Sequence, residues 1–413
     1  MNILLLPVGS HGDVHPFVGV GLGLKTRGHA VSLLANETYR PLAERHGFDF
    51  AEVGTAADYK RMTDDPLLWH PSKSLRAIFV DDLMRKYLPI AYRAIEERYA
   101  PGRTVVVGGS LGLAPRIAHE KLGVPLATVH LQPISIHSVV NPPKFPQASF
   151  PAWSPLWVRR AAYWYAERYV MDGYMAGPVN DFRKTLGLPP VRRIWGTWRH
   201  SPQLILGLFP KWFGTAPDWP AHMQQTGFIR YDQAEAKQLP PDVEAFLNEG
   251  EPPVVVSFGS AMRQGRPYFA AAAEACRRLG KRCLILAKGG DQIPPDLPTN
   301  CRQFDYAPFS LVFPRAAAVI HHGGIGTTAQ ALAAGVPQFV MPLAFDQPDN
   351  AHNLERLGVA RSVLAAKFTA DRAAATLEKL LKDPNVPAAC DVCREKMADD
   401  PLPRTCELIE GIV

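Results

Sequence analysis

The sequence is short of cysteine: six residues, at 276, 283, 301, 390, 393 and 406, are too sparse for a disulfide framework. Cys390-Asp-Val-Cys393 has the spacing of a zinc or redox pair, but no second pair stands at a matching distance, which predicts ordinary reduced thiols on a helix. No apolar run approaches the ~18 residues that a membrane span needs. The first run, Ile3–Val8, is too short for a signal-peptide core and has no Lys or Arg before it. These absences predict a cytoplasmic chain, with peripheral contact at the inner face of a membrane left open. Basic blocks are missing too. The net charge of +6 is mild; it fits an anionic ligand or an anionic membrane surface and falls short of a nucleic-acid footprint. Nothing in the composition speaks to oligomeric state.

What is present describes a globular protein of two domains: 413 residues, 47% hydrophobic and 20% charged. Ile3–Val8, Ala30–Ala35 and Phe48–Val53 read as buried strands alternating with helices. The loop GSHGDVHP (9–16) follows the first strand, and Pro16 is expected to open the next helix, where a proline loses no needed N–H. Residues 54–74 lack periodicity and read as a loop. Further strands are expected at 104–107, 126–130 and 204–208, the last closing the first half. The pattern restarts at Val254–Phe258 and continues through 283–287, 317–320 and 338–341. Continuous apolar strands separated by helices indicate an α/β fold of two doubly wound, Rossmann-like parallel sheets facing a cleft. The expected boundaries are 1–226 for an N-terminal domain, 227–241 for a linker and 242–385 for a C-terminal domain. The helices of 386–413 are expected to pack back on the first domain.

The chain is organised around HHGGIGTTAQALAAGVP (321–337), a strand end, a glycine turn and a helix start. Free N–H groups at a helix start, with the macrodipole behind them, make an anion site. Gly323, Gly324 and Gly326 would let a ligand approach the backbone, Thr327 and Thr328 add hydroxyls, and His321 and His322 stand beside them. Asp346-Gln347 follows, a carboxylate and an amide suited to vicinal hydroxyls. A phosphate site followed by a polyol clamp points to a nucleotide-sugar. Ser260, after a strand, can also face phosphates, and the ring of Tyr306 can stack on a base.

The first half offers Asp13, a carboxylate placed to take a proton from an attacking hydroxyl, against the plainer reading of a helix cap. His11 and His15 are alternative bases. The stretch 153–174 is aromatic, with Trp157 and Trp164 among seven Trp and Tyr side chains and arginines between them. It suits an acceptor pocket, a membrane surface or a core helix. The chain has no Asp-x-Asp triplet, so a diphosphate held by metal at that motif is not expected, and no metal site or cofactor is predicted. No G-x-G-x-x-G follows a strand; the glycines at 19, 21 and 23 lie inside a helix and are expected to serve close packing.

Taken together, GSHGDVHP, SFGS (257–260), YAPF (306–309), HHGGIGTT and FDQPDNA (345–351) resemble the inverting, metal-independent nucleotide-sugar glycosyltransferases of GT-B fold, the group holding plant, macrolide, glycopeptide and sterol enzymes. Within it, DPLLWHP (65–71), RIAHEKLGVP (116–125) and RHSPQLILGLFPKWF (199–213) are similar to the rhamnosyltransferases of rhamnolipid synthesis. The resemblance implies that Asp13 is the base and that His322, Gly324 and Thr327 contact the diphosphate. It also implies that Tyr306 stacks on the base, Gln330 bonds a ribose hydroxyl and Asp346-Gln347 hold the sugar. Plant members carry an acid that orients their histidine base; Gly108-Gly109-Ser110 stands there in this chain, as suits a direct Asp base.

The resulting expectation is transfer of a hexose, rhamnose or glucose, from a dTDP- or UDP-sugar to a hydroxyl of a lipophilic acceptor such as a hydroxy fatty acid, sterol or polyketide. The alternatives are a nucleotide-sugar 2-epimerase of the same fold and a binding protein without catalysis.

Overall fold

In a computed structural model of the chain, the structure describes residues 1–70, 83–145, 149–151, 153–231, 238–259, 262–288 and 292–413. The apolar runs form strands buried on both faces, which is why they read as continuous rather than alternating. In chain order they are β1 (Asn2–Leu6), β2 (Ala30–Ala35), β3 (Asp49–Glu52), β4 (Thr104–Gly109), β5 (Leu126–His130), β6 (Leu204–Gly207) and β7 (Met223–Gln225). The series continues with β8 (Val254–Ser257), β9 (Cys283–Leu286), β10 (Cys301–Phe304), β11 (Ala318–His321), β12 (Gln338–Val340) and β13 (Ala360–Ser362).

The strands make two parallel sheets, ordered β3-β2-β1-β4-β5-β6-β7 and β10-β9-β8-β11-β12-β13. Each sheet reverses its winding once, between β1 and β4 in the first and between β8 and β11 in the second. Ligands of doubly wound sheets bind beyond the carboxyl ends of the strands at that reversal. The reversal points therefore pick out the loops after β1 and β4, and those after β8 and β11.

The chain divides into two compact units, Met1–Ile229 with Pro401–Val413, and Arg230–Asp400. The helix Asn385–Lys396 lies within the second unit, while Leu402–Glu410 belongs to the first. That last helix packs on the helix His11–Thr26 across Gly23, where a Cβ would stand 2.8 Å from the Leu402 side chain. A Cβ at Gly21 would meet Leu5 at 2.8 Å, so both glycines serve close packing. Glu410 then ties the pair, accepting from Arg27 at 2.8 and 2.7 Å and lying 2.7 Å from Nε2 of His29.

Three local expectations need correction. The helix after β1 starts at His11, with Pro16 inside it, because Ser10 and Asp13 close a capping box upstream of the proline. Residues 54–74 are not all loop: a helix spans Ala56–Asp64 and a 3-10 turn Pro66–Trp69. Thr55 and Asp58 cap that helix reciprocally, and Lys86 reaches Asp58 at 2.8 Å, so caps and charge support it in place of an apolar stripe. β6 does not end the first sheet, since the short edge strand β7 follows it. The aromatic helix runs Leu156–Tyr165, widens into a π turn at Ala166–Met171 and continues to Thr185. The sequence also predicts a helix over 74–99, part of which lies outside the described residues. Cys390 and Cys393 are buried free thiols on one helix, and burial pushes the Cys390 thiol up to about 12.

Candidate functional site

In the second unit the turn after β11 is built around two adjacent histidines with opposite duties. His321 is fully buried; its Nδ1 accepts from the Gly323 N–H at 3.1 Å and its Nε2 lies 3.0 Å from Oε1 of Gln338. Nε2–H donating to Gln338 leaves Nδ1 as acceptor, so the ring is neutral and serves the turn. Burial, with His322 adding to it, pushes its pKa down to about 3.

His322 turns the other way, into a space that glycines leave. A Cβ at Gly259, after β8, would stand 2.6 Å from its Cε1, and one at Gly324 would stand 2.6 Å from its Nε2. The missing Cβ at Gly323 leaves room for Val340 and the Gln347 backbone instead. The open spaces at 259, 323 and 324 are thus filled by the protein itself, and the ring of His322 takes two of them. Burial pushes His322 down to about 4, so it is uncharged at neutral pH and offers hydrogen bonds rather than a cation.

Gly324 caps the helix Ile325–Ala334 without a side-chain bond. The N–H groups of Ile325, Gly326 and Thr327 are those that a helix leaves without an internal acceptor. Thr327 is buried beside them, and Gln330 lies one turn further on. The Thr328 hydroxyl oxygen is buried with no hydrogen-bond partner among the described residues. Tyr306, on the loop after β10, is half exposed. Ser260 lies outside the described residues.

Asp346 caps the helix Gln347–Arg356 and follows Phe345, whose φ of 56° is a left-handed value that a bulky residue avoids. Asp346 Oδ2 accepts from Nδ2 of Asn350 at 2.7 Å, and the same amide nitrogen donates to the Gly323 carbonyl at 2.9 Å. Asn350 therefore joins the two halves of the candidate donor site. Gln347 is not wholly available as a sugar clamp: it is buried, and its Oε1 accepts from the N–H groups of Leu343 and Ala344 at 2.8 and 3.2 Å.

In the first unit Asp13 stands in the first turn of the helix His11–Thr26, just beyond β1. Its Oδ2 accepts from Ser10 N–H at 2.8 Å and from Ser10 Oγ at 3.2 Å. Gly9, with φ of 136°, makes this possible, since a Cβ there would stand 2.2 Å from Oδ2. Burial pushes the carboxyl up to about 6, against the opposing effect of the Ser10 hydrogen bonds. The Tyr39 hydroxyl donates to the Gly9 carbonyl at 3.2 Å and holds the loop from its other side. The His11 ring stands edge-on to Tyr39 and to His15, at 5.1 and 5.3 Å between centroids. Burial and then His11 push His15 down to about 3, which keeps it neutral.

The first unit also contains a cavity of about 890 Å³. Tyr163 and Trp164 of the aromatic helix line it, together with Trp198 and Ile205. Trp157 does not line it and is exposed. Among the described residues, no three His, Cys, Asp or Glu side chains gather as a metal-binding set.

Residues 3–140 match the Glycosyltransferase family 28 N-terminal domain, and residues 284–411 match the Erythromycin biosynthesis protein CIII-like C-terminal domain. The O-mycaminosyltylonolide 6-deoxyallosyltransferase of Streptomyces fradiae is 33% identical, over 99% of this chain and 97% of its own. The chain is a glycosyltransferase of that family.

Among solved structures, the glycotransferase of kitacinnamycin superposes with a TM-score of 0.76 at 21% identity, covering 100% of this chain and 98% of that one. The spinosyn rhamnosyltransferase SpnG, complexed with thymidine diphosphate, gives 0.66 at 19%, over 98% of this chain and 100% of the other. The glycosyltransferase therefore has the GT-B fold, and it is an enzyme, a hexosyltransferase.

Sequence reasoning passed over three supports of the site. Ser10 was legible as a partner of Asp13, because Ser-x-x-Asp ahead of an apolar run is a capping box. Asn350 stands four residues after Asp346, the spacing at which helix neighbours meet. The Gln338 partner of His321 had no local signal, since it comes from the adjacent strand.

Proposed function

We propose that this glycosyltransferase moves a hexose from a dTDP- or UDP-sugar to a hydroxyl of a lipophilic acceptor, with inversion at C1 and with no metal or other cofactor. The observation that carries the reading is Asp13: a carboxyl pinned by Ser10 at the winding reversal of its sheet and pushed up to about 6 by burial. Such a group is ionised at neutral pH yet basic enough to accept a proton as the hydroxyl attacks. His11 is the competing base.

For the donor, the first-turn N–H groups at Gly326 and Thr327, with the neutral imidazole of His322, would face the diphosphate as its bond to C1 breaks. Asp346 would take sugar hydroxyls, Gln330 a ribose hydroxyl and Tyr306 the base. Gln347 keeps only its NH₂ for the sugar, because its oxygen holds the 343–344 backbone. The thymidine diphosphate of the spinosyn enzyme and the 6-deoxyallosyl group of the Streptomyces fradiae enzyme favour a dTDP-6-deoxyhexose over UDP-glucose.

For the acceptor, Trp164 on the cavity supports an apolar body lodged in the first unit, and O-mycaminosyltylonolide, on which the relative acts, favours a polyketide-like one. Exposed Trp153, Trp157 and Tyr169 suit peripheral membrane contact.

The test is incubation with dTDP-rhamnose and UDP-glucose, each with and without hydroxyl-bearing lipids and polyketides, in buffer and in chelator. Product of inverted anomeric configuration, formed equally in chelator, is the expected result. Retained configuration, loss in chelator, or donor consumption without acceptor overturns the proposal.

A further inference from the structure

The cavity of the first unit is unbalanced in charge. Arg116, Arg160, Arg192 and Arg193 line it against two carboxylates, Glu167 and Asp218. Both carboxylates are already engaged. Glu167 pairs with Nε of Arg193 at 3.0 Å and lies 3.5 Å from His137. Asp218 accepts from Ser138 Oγ at 2.6 Å and from the Val139 N–H at 2.8 Å. Arg116 has its own partner in Glu120, at 3.0 Å. Arg160 and Arg192 are left with no carboxylate in ion-pair reach among the described residues, and both are exposed to solvent.

Arg160 stands on the aromatic helix Leu156–Tyr165, and the wall that carries Arg192 and Arg193 is constructed, not incidental. Arg193 has a left-handed backbone, φ 54°, strained for a residue with a Cβ. Asp172 holds it there, accepting from the N–H groups of Arg193 at 2.9 Å and Ile194 at 3.1 Å. Glu167 is buried beneath Gly196, where any Cβ would stand 1.2 Å from its Oε1. The other walls are Tyr163, Trp164, Trp198 and Ile205. At about 890 Å³ the space suits a small organic molecule.

We infer that this cavity recognises one anionic group on an apolar body, so that the acceptor of the proposed transfer is an acidic amphiphile bearing a carboxylate or a phosphate monoester. This rests on the acceptor reading given above. Arg160 and Arg192 would meet the anion, Arg193 would stand fixed behind them, and the aromatic walls would cover the apolar body. A neutral ligand would gain nothing from the two arginine charges, and a cationic one would be repelled.

Calorimetric titration of the whole chain tests it, with dodecanoate, dodecyl phosphate, dodecanol, dodecyltrimethylammonium and inorganic phosphate, all below micelle formation. The two amphiphilic anions should bind with one-to-one stoichiometry at least tenfold more tightly than dodecanol, weakening as salt is added. The ammonium should not bind, and inorganic phosphate should be at least a hundredfold weaker than dodecyl phosphate. Arg160→Glu with Arg192→Glu should abolish the preference for dodecanoate over dodecanol at an unchanged melting temperature, while the paired lysine variants retain it.

Equal affinity for dodecanol and dodecanoate overturns the inference, as does a charge-reversal variant that binds like wild type. Inorganic phosphate binding as tightly as dodecyl phosphate overturns the amphiphile. Association with phosphatidylglycerol vesicles that monomeric dodecanoate cannot displace assigns the charge to a membrane surface and overturns the cavity site. If neutral hydroxyl acceptors are glycosylated while dodecanoate fails to bind, the inference falls and the transferase reading stands. If dodecanoate binds and no acceptor is glycosylated, the anion-recognising cavity stands and its role as an acceptor site falls with the transferase reading.

Discussion

The imidazole of His322 occupies the place of a side chain at Gly259: a Cβ there would stand 2.6 Å from Cε1 of the ring. Gly259→Ala should displace the ring and also strain a backbone held at φ 87°, a conformation that costs a residue with a Cβ roughly 1–2 kcal/mol. The expected outcome is a raised KM for the nucleotide-sugar together with a lowered melting temperature. His322→Ala in the same background should restore the space. Recovery of the stability lost to the clash, with the backbone strain remaining and KM not recovered, would show that the glycine serves the ring and the ring serves the donor.

Asp13→Asn keeps the size of the side chain but cannot take a proton, so turnover should fall by about 10²–10⁴ while donor affinity stays near wild type. The acid limb of kcat/KM should lie near pH 6 in wild type and vanish in the variant. A histidine base at His11 would instead leave that limb intact in Asp13→Asn and remove it in His11→Ala.

The same carboxyl makes a stability prediction whose sign follows from the direction of the shift. Folding raises the Asp13 pKa from 3.8 to about 6, so the folded state favours the protonated form. Its contribution is full below pH 3.8 and is lost as pH rises through about 6. The stability of Asp13→Asn relative to wild type should therefore grow between pH 4 and 7, which denaturant titration at several pH values measures. A difference that is constant with pH would show that the carboxyl is not perturbed by burial.

Ser10→Ala removes the hydroxyl donor to Oδ2 and leaves the backbone N–H donor in place. Losing a hydrogen bond to the ionised form raises the pKa further. The acid limb should move up by less than one unit, as sized by the loss of about 1 kcal/mol for a hydrogen bond of this kind. Ser10→Thr should restore it. A change in turnover with no movement of the limb would assign Ser10 to helix stability alone.

Asn350→Ala breaks the link between the Gly323 carbonyl and Asp346. The side chain is fully buried, so the cost to stability should be about 1–3 kcal/mol. Donor KM should rise more than acceptor KM, because the link joins the helix-start turn to the hydroxyl-binding carboxylate. Equal effects on both would place Asn350 in general packing.

The parallel strands were legible because both faces are covered and each reads as an unbroken apolar run. β7 was not, since Met223-Gln-Gln carries no such run and gains strand character only from its register with Ile205–Gly207. The helix Ala56–Asp64 was hidden because it carries no apolar periodicity; Asp58 supplies its cap and ion pairs in place of an apolar stripe. Pro16 drew the expected helix start too far along, because a proline in the second turn looks the same in sequence as one in the first. Within the candidate donor site, residue types and spacing pointed to the turn and to Asp346. They did not reveal that Gln347 turns inward, which depends on the backbone N–H groups of Leu343 and Ala344. Two adjacent histidines gave no clue that one would face the core and its neighbour two glycines. Cross-strand and loop partners decided that.

The return of Leu402–Glu410 to the first unit sets the order in which the molecule can be finished. During synthesis domains tend to fold as they emerge, but here residues 1–229 reach the solvent long before the helix that belongs with them. Until the whole second unit has been made, the helix His11–Thr26 lacks the cover over Gly23, and Arg27 and His29 lack Glu410. The nascent first unit must wait with one flank bare at the far end of the helix that bears Asp13. A ribosome-stalled chain ending at residue 229 should therefore be more open to proteases along residues 11–29 than the same residues in the finished protein.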